Sequence, residues 1–230
     1  MTYKKEVIAS QNNLKLISKT KDYIIVKAKF GPSKEIKIPL KLGEDLAFFA
    51  ATIIGDGHLK KDKFQITIEL TNYQLLQRIK DLCLNLFGRE FNISPESIRP
   101  NKKPTRRLMI NSKSIYNLLN KVFEIQIGKK SHIVSVPKIV LNSNRKIKTA
   151  FLQGIMLTEG GKRHRGYGLS TASENLWKGL IQIFSDINIP IQKDKWVHKK
   201  YKKTYYGISF KKEYLVQIMG RCQSGQMGYA

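Results

Sequence analysis

The sequence predicts an α+β protein built from two similar halves, and two observations carry this prediction. An apolar segment that ends at an acidic residue occurs twice, as LAFFAATIIGDGHL at 46–59 and as TAFLQGIMLTEGGK at 149–162. The apolar patterns that follow each segment predict the same order of elements, α-β-α-β-β-α. We therefore expect an internal duplication, with halves of roughly 90 to 100 residues each.

The first half begins with a helix at 44–56, because Glu44 and Asp45 suit the positive N-terminal end of a helix. A strand follows at 63–70, where apolar and polar residues alternate. We also expect a short strand near His58. The other predicted elements are a helix that begins at Asn72 and ends at Gly88, strands at 96–101 and 105–112, and a helix capped by Ser112.

The second half repeats this order. Its predicted elements are a helix that ends at Glu159, a strand at 166–173, a helix at 174–187, strands at 191–198 and 204–210, and a helix from about Lys212. The chain is thereby divided into an N-terminal extension at 1–43, a first half at 44–130, a linker at 131–148, a second half at 149–219 and a loose tail at 220–230. We expect the extension to be a β-hairpin, since strand-like runs at 22–30 and 34–42 flank a turn at 31–33.

The charge balance indicates a polyanionic partner. Lys and Arg number 42 against 17 Asp and Glu, which gives a net charge of +25. An excess of this size favours nucleic acid as the partner. The two cysteines, Cys83 and Cys222, are too few for a disulfide framework, and no secretory signal or membrane-spanning apolar run is present. We therefore expect an intracellular location, in the cytoplasm or nucleoid, or in an organelle of a eukaryote.

The two apolar segments match in register when one is shifted by 103 positions, the separation of Asp56 and Glu159. Small residues then coincide at every fourth position, which is one stripe of a helix. These positions are Ala47, Ala51 and Gly55 in the first helix, and Ala150, Gly154 and Thr158 in the second. Small side chains let two helices approach closely. We therefore predict that the two helices pack on each other and form the interface between the halves.

This packing would bring Asp56 and Glu159 together at the C-terminal ends of their helices. Helix C-termini are electronegative, so two carboxylates there repel each other unless a cation lies between them. Carboxylate and carbonyl oxygens are the ligands that Mg²⁺ and Mn²⁺ prefer. The sequence therefore predicts a divalent metal site shared by the two halves, with Mg²⁺ as the natural ion and Mn²⁺ as its substitute.

The two segments resemble the paired motifs of LAGLIDADG homing endonucleases in their single-chain, two-motif form. The linker from Gly128 into the second segment is also similar to that family's, and the resemblance covers roughly residues 44–218. It implies two αββαββα halves, saddle-shaped antiparallel sheets that straddle the DNA major groove, and two central motif helices. Such proteins act as monomers, in intron homing, and make a staggered double-strand break at a long asymmetric site.

The resemblance also implies roles for individual residues. Asp56 and Glu159 would be metal ligands, joined by the carbonyl groups of Gly55 and Thr158. Lys162 would be a basic group of the active site, and Lys130 is a second candidate. The sequence departs from the family's pattern at the inner end of the second strand of each half, near 69–71 and 170–172, where many members place Gln or Lys.

Hydrolysis of a phosphodiester needs an activated water and neutralisation of the leaving oxygen, which metals held by Asp56 and Glu159 can supply. Lys162 could polarise the water or stabilise the charge of the transition state. The four histidines, at 58, 132, 164 and 198, show no metal-binding spacing. We expect surface roles for His58 and His164, and ordinary packing for Trp196 and Tyr201.

DNA contacts are expected from two basic hairpins, at 99–107 and 193–203, and from the polar faces of the strands. The residues predicted to bind DNA are Lys60, Lys63, Gln65, Thr67, Arg99, Lys102, Lys103, Arg106, Arg107, Arg163, Arg165, Lys193, Lys195, Lys199, Lys200, Lys202, Lys203 and Ser209.

Two other functions on the same fold stay open at this point. One is an intron RNA-binding splicing maturase, and the other is a non-catalytic DNA-binding regulator. The presence of both Asp56 and Glu159 favours the endonuclease, although it does not argue against an additional maturase role. An endonuclease inside an intein is not expected, because residues typical of splice junctions are missing at the ends of the sequence.

Overall fold

The computed structural model describes residues 3–30, 33–61, 63–101, 103–128, 131–163, 166–199 and 202–220. After an N-terminal extension, the first half runs through helix α2 (Glu44–Gly55), strands β4 (Gly57–Leu59) and β5 (Gln65–Leu70), helix α3 (Tyr73–Phe87), strands β6 (Asn92–Ile93) and β7 (Arg106–Asn111), and helix α4 (Lys113–Asn117), which continues into a π-helical turn at Leu118–Val122.

The second half repeats this order after a short linker helix α5 (Lys138–Leu141). It consists of helix α6 (Arg145–Glu159), strands β8 (Gly160–Arg163) and β9 (Gly166–Thr171), helix α7 (Glu174–Asp186), strands β10 (Gln192–His198) and β11 (Lys203–Phe210), and helix α8 (Glu213–Met219). Each half is therefore αββαββα, as the resemblance implied. The short strand expected near His58 is β4.

Each half contains a four-stranded antiparallel sheet. The strand order is β4-β5-β7-β6 in the first sheet and β8-β9-β11-β10 in the second, so matching strands occupy matching places. One face of each sheet packs on the helices through apolar residues such as Ile68, Leu108 and Ile208, which are buried. The opposite face, here called the open face, carries the alternate residues of each strand.

The two central helices, α2 and α6, pack closely along the predicted stripe of small residues. A methyl group added at Gly154 would lie 2.6 Å from the Cβ atom of Ala51 and 2.6 Å from the carbonyl oxygen of Phe48. Ala47, Ala51 and Ala150 are buried as well. The backbones thus approach to a distance that leaves no room for a side chain at Gly154, and the helices form the interface between the halves.

The predicted helix caps have physical counterparts in the structure. The side chains of Asn72 and Ser112 accept hydrogen bonds from Leu75 N at 3.0 Å and Ile115 N at 3.3 Å. Gly88 follows α3 with a φ of 66°, the left-handed conformation that glycine adopts without strain. Ser173 also caps α7 by accepting from Leu176 N at 3.3 Å, a signal that the sequence offered and the prediction did not use.

The N-terminal extension is larger than the predicted hairpin. Strands β2 (Tyr23–Ala28) and β3 (Ile36–Pro39) pair as a hairpin, and helix α1 (Tyr3–Ser10) and strand β1 (Leu14–Lys19) precede them to complete a three-stranded sheet. The prediction missed β1 because its alternation of apolar and polar residues breaks after Leu16, where Ile17 follows directly and the register shifts.

The extension packs on the first half. The Gln11 side chain donates to the carbonyl of Ser114 at 3.1 Å, and Asn117 donates to Asn13 at 3.1 Å. Burial raises the pKa of Tyr3 far above its usual range. The extension therefore contributes to the same hydrophobic core as the helices of the first half.

Helix α6 begins four residues before the predicted start of the second half. Asn144 caps it by accepting from Ile147 N at 3.1 Å, so the predicted boundary between 148 and 149 lies inside a helix. The prediction began at the apolar segment, whereas the first turn of α6 is polar and basic. No helix among the residues that the structure describes has the length and apolar character of a membrane span.

We predict that Gly154→Val lowers the free energy of unfolding by about 1–3 kcal/mol, because the added side chain must separate two packed backbones. Gly161→Val is the matched control, since nothing lies within 4 Å of a methyl group placed there. Chemical denaturation of both variants measures the difference. Equal stability of the two variants would contradict the close helix approach.

Candidate active site

The C-terminal ends of α2 and α6 lie side by side. A methyl group added at Gly55 would overlap the hydroxyl group of Thr158 and lie 3.4 Å from the Cγ atom of Glu159. Thr158 turns this hydroxyl toward its own helix, where it donates to the carbonyl of Gly154 at 3.0 Å. Asp56 follows Gly55 directly, so the structure brings the two acidic residues together across the helix interface.

Each acidic residue is followed by a glycine that the backbone path requires. A methyl group at Gly57 would lie 2.6 Å from the Cα atom of Ile53, and one at Gly160 would overlap the carbonyl oxygen of Met156. The chain therefore turns back against the last turn of each helix and enters β4 or β8 at once. This explains why both motifs end in an acid followed by glycine.

The composition of this place suits a hard divalent cation. Asp56 and Glu159 are both exposed. Each stands where the carbonyl groups of a helix C-terminus make the surroundings electronegative. Among the described residues no group of three or more His, Cys, Asp and Glu could hold a metal ion, so the protein offers two carboxylates and backbone carbonyls. Phosphate and water oxygens would have to complete the coordination of Mg²⁺ or Mn²⁺.

The open face of the first sheet carries polar side chains, two of which form a hydrogen bond with each other. The Gln65 amide donates to the Asn111 side chain at 2.6 Å, across the pair formed by β5 and β7. Thr67 lies between His58 and Met109 in the adjoining row of the sheet. Lys60 donates its backbone N–H to Gln65 at 3.0 Å just beyond β4. This face thus presents amide, hydroxyl and imidazole groups in neighbouring rows.

The open face of the second sheet is different, because glycine and serine occupy its central rows on β8, β9 and β11. Gly161, Gly168 and Ser209 make one row across β8, β9 and β11, and Arg163 packs beside Gly168. Trp196 covers Gly207 from β10 and stacks on Tyr205, with ring centroids 6.1 Å apart and planes within 18°. Arg163, Trp196, Gly207 and Ser209 border a pocket of about 620 Å³.

Three residues predicted to bind DNA lie on the helix side of their sheets and not on the open face. Arg106 stacks over the ring of Tyr73 at 4.4 Å, next to helix α3. Lys195 lies over the ring of Tyr206 at 5.5 Å, and Lys193 pairs with the buried Ile208. The prediction took every cation of each hairpin together. Neighbouring residues of a strand point to opposite faces, so only every second one can reach the open face.

Comparison with known proteins agrees with this architecture. Residues 43–122 match the family model of a LAGLIDADG-like domain. The structure is similar to that of I-DmoI in complex with DNA and Mn, with a TM-score of 0.56 and 15% sequence identity, over 78% of this chain and 96% of that one. The chain has the LAGLIDADG fold in its single-chain, two-motif form. Helices α2 and α6 are its motif helices.

Other LAGLIDADG proteins of known structure are similar as well. The homing endonuclease I-WcaI bound to its DNA recognition sequence has a TM-score of 0.52 and 16% identity, over 77% of this chain and 81% of that one. The N-terminal LAGLIDADG domain of DUF199/WhiA has a TM-score of 0.51 and 12% identity, over 83% of this chain and 87% of that one.

Curated relatives contain the matching segment within much longer proteins. The replication factor C small subunit of Methanocaldococcus jannaschii is 30% identical over 165 residues, which are 72% of this chain and 8% of that protein. An A-type ATP synthase subunit of Pyrococcus abyssi is 27% identical over 190 residues, which are 81% of this chain and 18% of that protein. The chain thus spans less than a fifth of either relative.

The lysines and arginines predicted near the two acids or on the DNA-binding surface lie on different parts of the structure. Lys162 pairs with Tyr167 in the register of β8 and β9, and Tyr167 packs on the core, whereas the adjacent Arg163 belongs to the open face. Four other lysines are exposed in loops and turns, namely Lys63, Lys103, Lys199 and Lys202. Lys203 contacts His132 at 3.3 Å. The remaining predicted positions, Lys102, Lys130, His164, Arg165, Lys200 and Tyr201, lie outside the described residues.

An ionic cluster at the inner end of the first sheet was not predicted. The carboxylate of Glu69 accepts from Arg107 at 2.6 Å, from Thr105 at 2.8 Å, and from Arg99. The hydrogen bond from Arg107 is the main reason that the pKa of Glu69 is lowered. The sequence had indicated only that this position departs from the LAGLIDADG pattern.

We predict that Mn²⁺ raises the melting temperature of the wild-type protein, because a ligand that binds the folded state stabilises it. Asp56→Asn and Glu159→Gln should each abolish most of this rise. Glu44→Gln, at the opposite end of α2, is the control that should keep it. Thermal unfolding with and without Mn²⁺ gives the measurement. An undiminished rise in both acid variants would exclude this metal site.

Proposed function

We propose that the protein is a site-specific DNA endonuclease that hydrolyses phosphodiester bonds with divalent metal ions. The observation that carries this proposal is the juxtaposition of Asp56 and Glu159 at the end of the motif-helix interface. The net charge of +25 supports a polyanionic substrate. The similar I-DmoI and I-WcaI structures, which contain DNA, support double-stranded DNA as that substrate.

The residues of the site would divide the chemistry among them. Asp56 and Glu159 would hold the metal ions through their carboxylates, with the carbonyl groups of Gly55 and Thr158 as further ligands. Bound metal ions would lower the pKa of a water and neutralise the leaving oxygen. Lys162 would stabilise negative charge on the phosphate from β8. The short turns at Gly57 and Gly160 keep both acids at the exposed ends of α2 and α6, where a DNA backbone would reach them.

A long, asymmetric DNA site is supported by the differences between the two open faces. Gln65, Thr67 and Asn111 would contact base edges in the major groove from the first sheet. The second sheet has Gly168 and Ser209 where the first has Thr67 and Met109, and so leaves more space in that row. A single chain with unequal halves would therefore recognise unequal half-sites as a monomer. One active-site acid from each half suits one cut in each strand, and thus a staggered double-strand break.

A role in the mobility of genetic elements is supported by the curated relatives. The matching segments occur within a replication factor, a component of an ATP synthase and other proteins of unrelated names, and form a small part of each. The shared segment is therefore not part of any one function that those proteins' names describe. A nuclease that spreads its own coding sequence would have such a distribution, and we extend this role to the present chain.

The second candidate function is binding of intron RNA as a splicing maturase. One observation favours it: Trp196 is 38% exposed and stacks on Tyr205 on the open face, instead of packing in the core as expected from the sequence. Exposed aromatic rings bind the unstacked bases of single-stranded RNA. In the part of the chain that the structure describes, no comparable feature favours a role as a non-catalytic DNA-binding regulator.

We predict that the wild-type protein linearises a plasmid that carries the host gene without the coding insertion, in the presence of Mg²⁺. Glu159→Gln should bind the same DNA but not cut it, because one metal ligand is lost. Glu213→Gln, in the first turn of α8, should cut like the wild type. Gel analysis with and without a chelator gives the result. Binding without cleavage, together with tight binding to the host intron RNA, would favour the maturase.

We also predict that open-face cations carry the salt dependence of DNA binding. Arg163→Gln should weaken binding and lower the slope of log K against log salt by about 0.9, the value for one phosphate contact. Lys195→Gln removes a cation from the helix side of the same sheet and should leave the slope unchanged. Titrations at several salt concentrations compare them. A larger effect at Lys195 would mean that DNA binds another surface.

A further inference from the structure

The Glu69 cluster lies on the open face and fully occupies its carboxylate. Oε2 accepts from Nη2 and Nε of Arg107 at 2.6 and 3.3 Å, while Oε1 accepts from Thr105 at 2.8 Å and from Arg99. Because two guanidinium groups surround it, Glu69 is an ionised anchor. An anion on a surface that binds a polyanion weakens that binding. The presence of Glu69 on this face therefore indicates another role.

The strand register places this cluster beside the Asp56 side of the site. Gly57 pairs with Ile68 in the antiparallel β4–β5 ladder, so Asp56 and Glu69 are the next pair of residues along the two chains. Glu69 in turn pairs with Arg107 in the β5–β7 ladder. Asp56 and Arg107 are thus separated by two strand spacings, roughly 10 Å between backbones. An arginine side chain is long enough to reach a phosphate in that space.

Among the residues of the second half that the structure describes, there is no equivalent cluster. In the matching ladder Gly160 pairs with Leu169, which makes Ser170 the counterpart of Glu69. Ser170 pairs with Gly207, the counterpart of Arg107. Neither residue carries a charge. On the Glu159 side the positive group would therefore have to come from another position, such as Lys162 of β8, whereas the Asp56 side has one two strands away.

We propose that Arg107 is the cation that serves the phosphate cut on the Asp56 side, and that Glu69 is the residue that positions it. A guanidinium group has five N–H donors, and Glu69 engages only part of them, which leaves others for a phosphate oxygen. Arg99 and Thr105 hold the other oxygen of Glu69 and fix the direction of the carboxylate. This inference rests on the proposed endonuclease function.

Stability alone does not account for the cluster. The side chains of Glu69, Arg99 and Arg107 are 28%, 45% and 42% exposed, and ion pairs exposed to this degree contribute little to folding. Because these residues lie next to Asp56, their loss should affect catalysis, which loss of an ion pair elsewhere on the surface would not. Loss of Arg107 should slow the cut in one strand and not in the other.

The test follows each strand of the host-gene plasmid separately, with wild type, Arg107→Gln and Glu69→Gln under single-turnover conditions. Arg107→Gln should slow one strand on the order of 10²-fold, as removal of a transition-state donor does, so that nicked circles accumulate. Glu69→Gln should slow the same strand about 10-fold through misplacement of Arg107, while DNA binding is equal or tighter. Arg106→Gln, on the helix side of the same strand, is the matched control and should cut both strands normally.

A double variant separates positioning from an independent effect. If Glu69 acts through Arg107, the Glu69→Gln/Arg107→Gln variant should be no slower than Arg107→Gln alone. Should Arg107→Gln fail to fold, Arg107→Lys serves in its place, and a strand-selective loss is again expected. Normal cutting of both strands by the Arg107 variant, or equal slowing of both, would overturn the inference and leave the endonuclease function intact. A wild-type protein that cuts neither strand would overturn both.

Discussion

The close approach of the two motif helices is the constraint on which the rest of this structure depends. Gly154 against Ala51 and Phe48, and Gly55 against Thr158, let the backbones come so near that no larger side chain fits between them. This contact joins the halves, and it also fixes the ends of both helices at one place. Because Asp56 and Glu159 occupy those ends, the packing of small residues determines where the acids meet. The first strand of each sheet, β4 or β8, begins at the same place.

Much of this arrangement could be predicted from local sequence patterns. The acids, their following glycines and the small residues repeat at a fixed offset, so one comparison within the chain indicated both the helix interface and the shared acidic site. Features that depend on register between distant strands could not be found in this way. The hydrogen bond between Glu69 and Arg107 joins residues 38 positions apart. The orientations of Arg106, Lys193 and Lys195 depend on where each strand of the hairpins begins, which the sequence pattern did not define. Strand β1 has only a short alternating pattern, which breaks after Leu16.

The two halves share a framework and differ in the groups placed on it. The motif helices match position for position, whereas the inner end of one sheet holds Glu69 and Arg107 and the other holds Ser170 and Gly207. Such unequal surfaces suit an unequal ligand, because each half then meets a different part of it. The same physical difference explains why the glycine-rich open face leaves Trp196 accessible above Gly207, although the sequence alone favoured packing for that tryptophan.

The most direct test of the central claim replaces both acids by thiols and asks whether they bind one soft metal ion together. In a Cys222→Ser background, with Cys83 buried, the Asp56→Cys/Glu159→Cys variant would be titrated with Cd²⁺, and metal–thiolate absorbance would be compared with that of each single variant. We predict one Cd²⁺ per chain, held far more tightly by the double variant than by either single one. Affinities in the double variant no greater than those of the single variants would show that the two motif-helix ends do not share a site.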